Sequence, residues 1–479
     1  MNNKKVLNNF VWRFMERIGA QGVTFVVSIL LARLLDPKVY GTVALVTVFT
    51  TIMQVFVDSG LGTALVQKKD ADDLDFSTVF YFNIVMCAGL YGLMFLAAPL
   101  IAAFYELPEL TAIVRVASLT LVISGVKNIQ QSYVSKHMLF KRFFYSTIGG
   151  TIVSAAVGIG MAFAGFGVWA LIAQNLLNLA AGTIILWVTV KWRPKWMFSW
   201  ERLKGLFSFG WKLLVSKLLD TVYTDLRQLI IGKIYTADDL AFYNKGSQFP
   251  QLIVSNVNSS IDSVLMPAMA AEQDDRERVK AMTRRAIKTS TYLMMPMMMG
   301  LAVCAEPLIK LLLTDKWLPC VFFLRIFCFT YAFYPIHTAN LNAIKAMGRS
   351  DLFLKLEIIK KGIGMVALLS TMWISVEAMA YSLLVTTVVS QIVNASPNKK
   401  LLGYSYFQQV QDMLPQIALS LVMGAIVFCV SLLPIHEYLI LLIQVPLGVL
   451  IYVGGSALFK LEIFGYMLSV AKSYLKKKG

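Results

Sequence analysis

Charge is scarce in this chain. Of its 479 residues only 15% are charged, against 57% hydrophobic, and the mean hydropathy is +0.67. A soluble domain carries about a quarter charged residues, so this chain lacks the polar surface to cover a globule. Histidine is rarer still, with only His137, His337 and His436, scattered. The five cysteines, Cys87, Cys304, Cys320, Cys328 and Cys429, form no CxxC pair and lie in or beside apolar segments. They read as small buried hydrophobes, with neither a metal site nor a disulfide framework indicated. GxxxxGK[ST], HExxH and GxSxG are all missing, so the reading is a non-enzyme without cofactor or metal. A cleavable signal is also missing. Lys4 and Lys5 run on into Asn8, Asn9, Arg13, Glu16 and Arg17, without a short apolar stretch and small-residue cleavage site.

What the chain has instead is long apolar runs. Stretches of about twenty residues, enough for a bilayer core of roughly 30 Å, recur along its whole length. They do not alternate as the strands of an outer-membrane barrel do. The fold class expected is an all-α integral membrane protein of about fourteen transmembrane helices. The spans are placed near 12–35, 40–65, 76–103, 112–135, 143–163, 168–190, 206–234, 240–268, 289–313, 319–344, 353–373, 377–395, 411–433 and 439–459. With the N-terminus in the cytoplasm, the inward loops and tails hold 28 Lys and Arg, and the outward loops hold only Lys38 and Lys316. The positive-inside rule then puts both termini in the cytoplasm. The excess of basic residues (net charge +17) is thus a topology signal beside anionic lipid, and nucleic acid is not an expected partner.

The outward loops are short, as at Asp36–Val39 and Ala164–Gly167, and leave no extramembrane domain on that side. The inward segment 191–205, KWRPKWMFSWERLKG, mixes Trp with Lys and Arg as an interfacial linker does. The six spans on either side of it look like repeats. Trp12-Arg13 opens the first and Trp211-Lys212 opens the seventh, 199 positions on. Lys136-His137-Met138 ends the fourth span of one half, and Lys345-Ala346-Met347 ends that of the other. Repeats offset by an even number of spans keep one orientation, so these are parallel repeats, and a substrate site between two such halves is the expectation. The domains read as an N-terminal lobe at 1–190, a cytoplasmic linker at 191–205, a C-terminal lobe at 206–402, and two further spans with a basic tail at 403–479.

Polar stripes run along several spans at helical spacing. The first carries Arg13, Glu16, Arg17, Gln21, Thr24 and Ser28. The second carries Thr47, Thr51, Gln54 and Asp58. The seventh carries Lys212, Lys217, Asp220, Thr224, Asp225 and Arg227, and the eighth Gln251, Ser255, Asn258 and Asp262. A charge at mid-bilayer depth costs about 2.5–3.5 kcal/mol on insertion scales. Such stripes suit a shared water-filled cavity, or pair with one another to lock helices. Glu16 with an Arg, or Asp225 with Arg227 or Lys233, would do the latter. For a single residue the two readings weigh equally; as a set the stripes favour the cavity. Arg13, Arg17, Lys212, Lys217 and Arg227 suit an anionic group, and Gln21, Gln54, Gln251 and Asn258 suit sugar hydroxyls. Glu16, Asp58, Asp220, Asp225 and Asp262 are candidates for cation coupling or for balancing those charges. Lys127 and Arg325 lie deep in their spans, and spacing gives them no partner. The direction faced by Lys360 and Lys361 stays open. Pro250 and Pro296 are expected to bend their spans.

The stretches Leu31-Ala32-Arg33-Leu34-Leu35-Asp36-Pro37 to Tyr40-Gly41 and Asp58-Ser59-Gly60-Leu61-Gly62-Thr63-Ala64-Leu65-Val66-Gln67 resemble the opening of Wzx-type polysaccharide flippases. Gly165-Phe166-Gly167-Val168-Trp169-Ala170-Leu171, Asp225 to Ile230-Ile231-Gly232-Lys233, and Val264-Leu265-Met266-Pro267 extend the resemblance over nearly the whole chain. Ala241 departs from it, since family members often have Gly both there and at Gly41. The resemblance implies the multidrug/oligosaccharidyl-lipid/polysaccharide (MOP) exporter superfamily, with two six-helix lobes as in MATE transporters, and alternating access. The implied cargo is a polyprenyl-pyrophosphate-linked oligosaccharide, crossing the bacterial inner membrane for O-antigen, capsule or exopolysaccharide assembly. Membrane lipids, a coupling H+ or Na+, and polysaccharide polymerase and export machinery are the other implied partners. Three alternatives stand beside it. A multidrug exporter of the same superfamily should line its cavity with carboxylates and aromatics, whereas these stripes lean basic. A lipid II exporter is not separated by the stripe chemistry. A membrane polysaccharide polymerase is disfavoured by the short outward loops.

Overall fold

The computed structural model describes residues 3–58 and 60–476, with side chains from 19 to 469 except at 59, 209 and 350. Among the described residues the chain is helical, with no strand. In order the helices are α1 (Asn3–Leu34), α2 (Pro37–Asp58), α3 (Leu61–Gln67), α4 (Asp73–Tyr105), α5 (Leu110–Ala117), α6 (Leu119–Lys136), α7 (Phe140–Phe163), α8 (Val168–Thr189), α9 (Trp200–Ile234), α10 (Ala237–Ala271), α11 (Arg276–Val303), α12 (Ala305–Leu313), α13 (Cys320–Ala332), α14 (Tyr334–Ala346), α15 (Ser350–Thr371), α16 (Val376–Leu402), α17 (Tyr406–Val430), α18 (Glu437–Leu458) and α19 (Glu462–Lys476). In hydrocarbon every backbone group must be satisfied within the helix, so the ends carry the local chemistry. Asp72 and Asp75 form a capping box that opens α4, and Ser405 and Gln408 form one that opens α17. Ser199, Asp275 and Ser375 cap α9, α11 and α16 with side-chain oxygens.

Every one of the fourteen expected segments is helical, but several are interrupted. The second span breaks between α2 and α3, the fourth between α5 and α6, and the tenth between α13 and α14. Among the described residues nine spans are long and apolar enough to cross a membrane, or ten if the α11–α12 pair, bent by 66°, is one span. That is short of the fourteen expected. The shortfall lies in α1, where only Gly19–Leu34 counts as a shorter apolar helix, and in α9, α10 and α15. Of these α9 carries Lys212, Lys217, Asp220, Asp225, Arg227 and Lys233, and α15 carries Lys355, Glu357, Lys360 and Lys361. The helices that fall out of the count are largely those that bear charge. The prolines do not break their helices: α10 is continuous through Pro250, and α11 through Pro296. The sharp bend comes later, at Cys304.

The chain divides into two compact units, residues 1–241 and 242–479. In unit 1, α7 packs on α8 and α1, α4 on α6, and α2 on α9. Gly41 is needed here: a Cβ at that position would lie 1.7 Å from the Ala237 carbonyl oxygen. One end of the unit is sealed by Leu61, Leu65, Phe76, Val79, Ile129, Phe143, Leu186 and Trp192. The segment after α8 is stitched to this end. Trp192 Nε1 donates to Asp73 at 3.0 Å, the Lys195 amide to Ser77 Oγ at 3.0 Å, and the Ser199 amide to Thr78 Oγ1 at 3.1 Å. Gln130 Nε2 donates to the Trp192 carbonyl. Beneath them Asp75, fully buried, holds Lys68 at 2.7 Å and Arg202 at 3.5 Å. The interfacial linker is thus a fixed part of unit 1, from which Trp196 stands out, 96% exposed.

In unit 2, α11 is central and packs against α17, α13 and α14. A buried amide cluster joins three helices: Asn340 and Gln409 exchange hydrogen bonds of 2.9 and 3.0 Å, and Asn398 Nδ2 donates to Asn340 Oδ1 at 2.7 Å. Near it Asp412 accepts from Arg284 at 2.6 and 2.7 Å and from Tyr404 Oη at 2.8 Å. Lys288 bridges Asp412 and Glu462. The basic tail expected after residue 460 begins as a helix, α19, whose Ile463, Phe464 and Met467 join an apolar cluster with Tyr292, Met423 and Tyr452.

Candidate functional site

In unit 1 the polar stripe of α2 lies on the open side of the helix. Val48, Val55 and Val57 are buried, while Thr47, Thr51 and Asp58 are exposed and Gln54 is half-buried. Gln54 Nε2 donates to Asp58 Oδ1 at 3.2 Å, one helical turn on. From α6, Asn128 Nδ2 donates to the Val57 carbonyl at 3.1 Å. The partner helix α9 presents exposed Lys212, Lys217, Asp220 and Thr224 and half-buried Asp225. Lys217 lies within charge–charge reach of both Asp58 and Asp225, and Gln228 Nε2 donates to Asp225 Oδ1 at 3.2 Å. Gln54–Asp58 and Gln228–Asp225 are thus two pairs, one on each helix, with the Lys217 charge acting on both carboxylates. Arg227 is 9% exposed, on the packed side of α9. On α1, Gln21 and Ser28 are half-buried and Thr24 is exposed. The side chains of Arg13, Glu16 and Arg17 lie outside the described residues.

One pairing read from the sequence resolves differently, and one cation of open direction gains a partner. Lys233 does not turn back to Asp225; it binds Glu106 at 3.0 Å and the Phe104 carbonyl at 2.6 Å. Lys360 pairs with Glu357 at 2.5 Å on its own helix. Spacing gave no partner to the two deep cations, and the fold supplies neighbours for both. Arg325 Nε donates to the Ala302 carbonyl at 3.2 Å. The Lys127 ammonium lies against the α7–α8 seam at Gly182.

In unit 2 the α10 stripe meets α14. Asn258 Oδ1 accepts from Thr338 Oγ1 at 2.6 Å, and Asp262 Oδ1 accepts from Asn342 Nδ2 at 2.8 Å. Both pairs are 80 residues apart in sequence and one turn apart along each helix. Gln251 is exposed, and Ser255 bonds back to the Leu252 carbonyl. Sequence reasoning missed the α14 partners, although Thr338 and Asn342 show the same four-residue spacing as Asn258 and Asp262. It also missed Lys245, which is 5% exposed, with its ammonium 5.4 Å from the centre of the Trp317 ring. A lysine five residues into an apolar span was the available signal. Among the described residues no group of three or more His, Cys, Asp or Glu is placed to hold a metal.

A family described as "Polysaccharide biosynthesis protein" matches residues 30–322 of the chain. The teichuronic acid biosynthesis protein TuaB of Bacillus subtilis (strain 168) is 26% identical over 90% of this chain and 89% of its own length. The lipopolysaccharide biosynthesis protein WzxC of Escherichia coli (strain K12) is 22% identical over 74% of this chain and 73% of its own. Among solved structures, an inward closed conformation of the lipid II flippase MurJ aligns with a TM-score of 0.76 at 15% identity, covering 95% of this chain and 98% of that one. At that identity the likeness concerns the fold.

Proposed function

The chain belongs to the polysaccharide biosynthesis protein family, and on that premise we propose that it is a flippase for a polyprenyl-pyrophosphate-linked oligosaccharide. The cargo crosses the bacterial inner membrane by alternating access between the two halves of the chain, with both termini in the cytoplasm. On this reading the charged helices α1, α9, α10 and α15 cross the membrane as well, with their polar faces turned to a cavity and away from lipid.

The observation that carries the reading is Lys217 standing within reach of Asp58 and Asp225 on the packed pair α2 and α9. An ammonium whose charge acts on two carboxylates is a natural exchange point. A pyrophosphate that engages Lys217 competes with both carboxylates for it. The carboxylates then require another cation, and H+ or Na+ entering the cavity supplies it. Cargo and coupling ion are thereby linked through one side chain, with Lys212 and the arginines of α1 adding positive field. The side-chain amides of Gln54, Gln251 and Asn258 serve sugar hydroxyls.

The test is deletion of the gene in its host, followed by profiling of lipid-linked oligosaccharides and surface glycan. Completed repeat units stalled on the carrier and accessible only from the cytoplasmic side are the expected result. Unchanged lipid pools with normal surface glycan, in a strain without a second copy, would overturn the flippase in favour of a drug exporter. Alanine at Arg17 together with Lys217 is expected to abolish complementation while leaving the protein in the membrane.

A further inference from the structure

The basic residues of α11 are nearly all partnered. Arg276 donates to the Leu401 and Lys400 carbonyls at 2.7 Å. Arg278 holds Glu272, Lys280 holds Glu277, Arg284 holds Asp412, and Lys288 bridges Asp412 and Glu462. Arg285 differs. Among the described residues it makes no hydrogen bond and no ion pair, and its guanidinium lies 5.0 Å from the centre of the Tyr466 ring of α19. A ring face attracts a cation without neutralising its charge. Arg285 also stands one turn before a stretch, 289–303, that holds no charged residue. That is the level at which headgroups meet hydrocarbon.

A cavity of about 750 Å³ opens beside Arg285 and Tyr466 and runs between α10 and α11. Its size is that of a ligand site. Its walls are mainly apolar, with Val257, Ile261 and Val264 from α10 and Ala286 and Leu293 from α11. Asn258 and Asp262 turn to α14, so the groove lies on another face of α10 than the stripe assigned to cargo. Beyond Arg285 the α11 wall adds the hydroxyl of Ser290. Ser290 is 1% exposed, and its Oγ has no hydrogen-bond partner. A buried hydroxyl left in that state costs about 1–3 kcal/mol, so the wall offers a donor that lacks its acceptor. Ser290 lies five residues on from Arg285, about 7.5 Å deeper along the helix at 1.5 Å per residue.

We propose that this groove binds one anionic glycerophospholipid of the bilayer. Its phosphate sits on Arg285, an ester carbonyl below the phosphate accepts from Ser290, and an acyl chain lies between α10 and α11. The unneutralised guanidinium selects the anion, as basic pockets between membrane helices do. The hydroxyl selects the glycerol ester, because a polyprenyl chain has no acceptor at that depth. A lipid seated there touches α10, α11 and α19 together and holds α19 to the bundle. The inference stands on the membrane fold and not on the flippase reading.

The experiment counts lipids bound to the full-length protein in detergent by native mass spectrometry, with phosphatidylglycerol and phosphatidylcholine titrated separately. Wild type is expected to bind one phosphatidylglycerol about tenfold more tightly than phosphatidylcholine, the scale of one charge-assisted contact. Arg285→Gln is expected to erase that preference, and Arg285→Lys to keep it within about threefold. Val264, 70% exposed, tolerates a larger side chain. Val264→Trp is expected to weaken both lipids about fivefold by filling the place of the acyl chain, and it carries the test if Arg285→Gln does not fold. A wild type without preference for the anionic lipid, or an undiminished preference in Arg285→Gln, would overturn the site. So would unchanged binding in Val264→Trp where that variant stands alone. A polyprenyl phosphate that displaces phosphatidylglycerol at equal concentration would give the groove to the cargo and overturn the phospholipid assignment.

Discussion

In unit 1 the polar stripes of α2 and α9 carry charge: Lys217 acts at a distance on Asp58 and Asp225, which accept from Gln54 and Gln228. In unit 2 the corresponding stripe on α10 meets α14 through Asn258–Thr338 and Asp262–Asn342, where each donor is neutral. Deeper in unit 2 an amide cluster of Asn340, Asn398 and Gln409 lies near the Asp412–Arg284 ion pair. Neutral hydrogen bonds between membrane helices fix their register and have little reason to rearrange. A cation shared by two anions can change partners whenever an ion or ligand arrives. On the proposed reading, unit 1 exchanges charge at its stripe, while the α10–α14 hydrogen bonds of unit 2 hold their helices in place.

The contrast can be broken or sharpened by substitution. The largest effect is expected at the sealed end of unit 1. Asp75→Ala leaves Lys68 and Arg202 without their buried carboxylate and removes half of a capping box, and is expected to cost about 3 kcal/mol. Thermal unfolding in detergent measures it; a loss under about 1 kcal/mol would mean that the pair behaves as an exposed one. Next, Asn340→Leu leaves the Gln409 and Asn398 amides short of partners and is expected to cost about 2 kcal/mol in the same assay. An unchanged melting point would deny unit 2 its structural amide core.

Transport distinguishes the stripes themselves. Asp58→Asn is expected to slow cargo translocation about tenfold, equivalent to about 1.4 kcal/mol, because it removes one of the two competitors for Lys217. Asp262→Asn retains an acceptor oxygen for Asn342 and is expected to slow it less than about threefold. Equal losses in a reconstituted flipping assay would erase the distinction between the units.

The smallest effect concerns α19. Glu462 is held below the ordinary carboxylate range, first by its hydrogen bond from Lys288 and then by the Lys288 charge. A carboxylate lowered by folding stabilises above its unfolded pKa of about 4.3. That contribution fades as pH falls through the lower folded value. The Glu462 side chain is 83% exposed, so the pair is worth about 0.5 kcal/mol or less. Glu462→Gln is expected to lower stability at pH 7 by no more than that amount and to narrow the gap from wild type below pH 5, as read by thermal unfolding across pH.

Much of this architecture was legible because apolar runs and turn residues are local signals. Asp36-Pro37, Gly165-Phe166-Gly167 and Ser405 mark element ends by their own chemistry, and all fourteen expected segments are helical. The breaks within spans were not legible. Nothing near Ser118 announces a pause, Pro335 in the first turn of α14 went unread as one, and the bend of the ninth span falls at Cys304 and not at Pro296. The site was half legible. Four-residue spacing placed Gln54 beside Asp58 and put Asn258 and Asp262 on one face. The donors that complete them, Thr338 and Asn342, come from a helix 80 residues on, and pairing at that distance leaves no local trace. Lys127 shows the same limit, since the seam it lies against exists only once α7 and α8 pack.

The stitched segment after α8 also sets an order of events during synthesis. Asp73, Ser77 and Thr78 emerge more than a hundred residues before Trp192, Lys195 and Ser199, which satisfy them. Asp75 likewise waits for Arg202. Until the ribosome has passed that point, the end of unit 1 holds a buried carboxylate and several hydroxyls that lack their final partners. A fragment ending at residue 190 would stay in that unfinished condition, so the smallest piece of this chain worth expressing alone runs past Arg202.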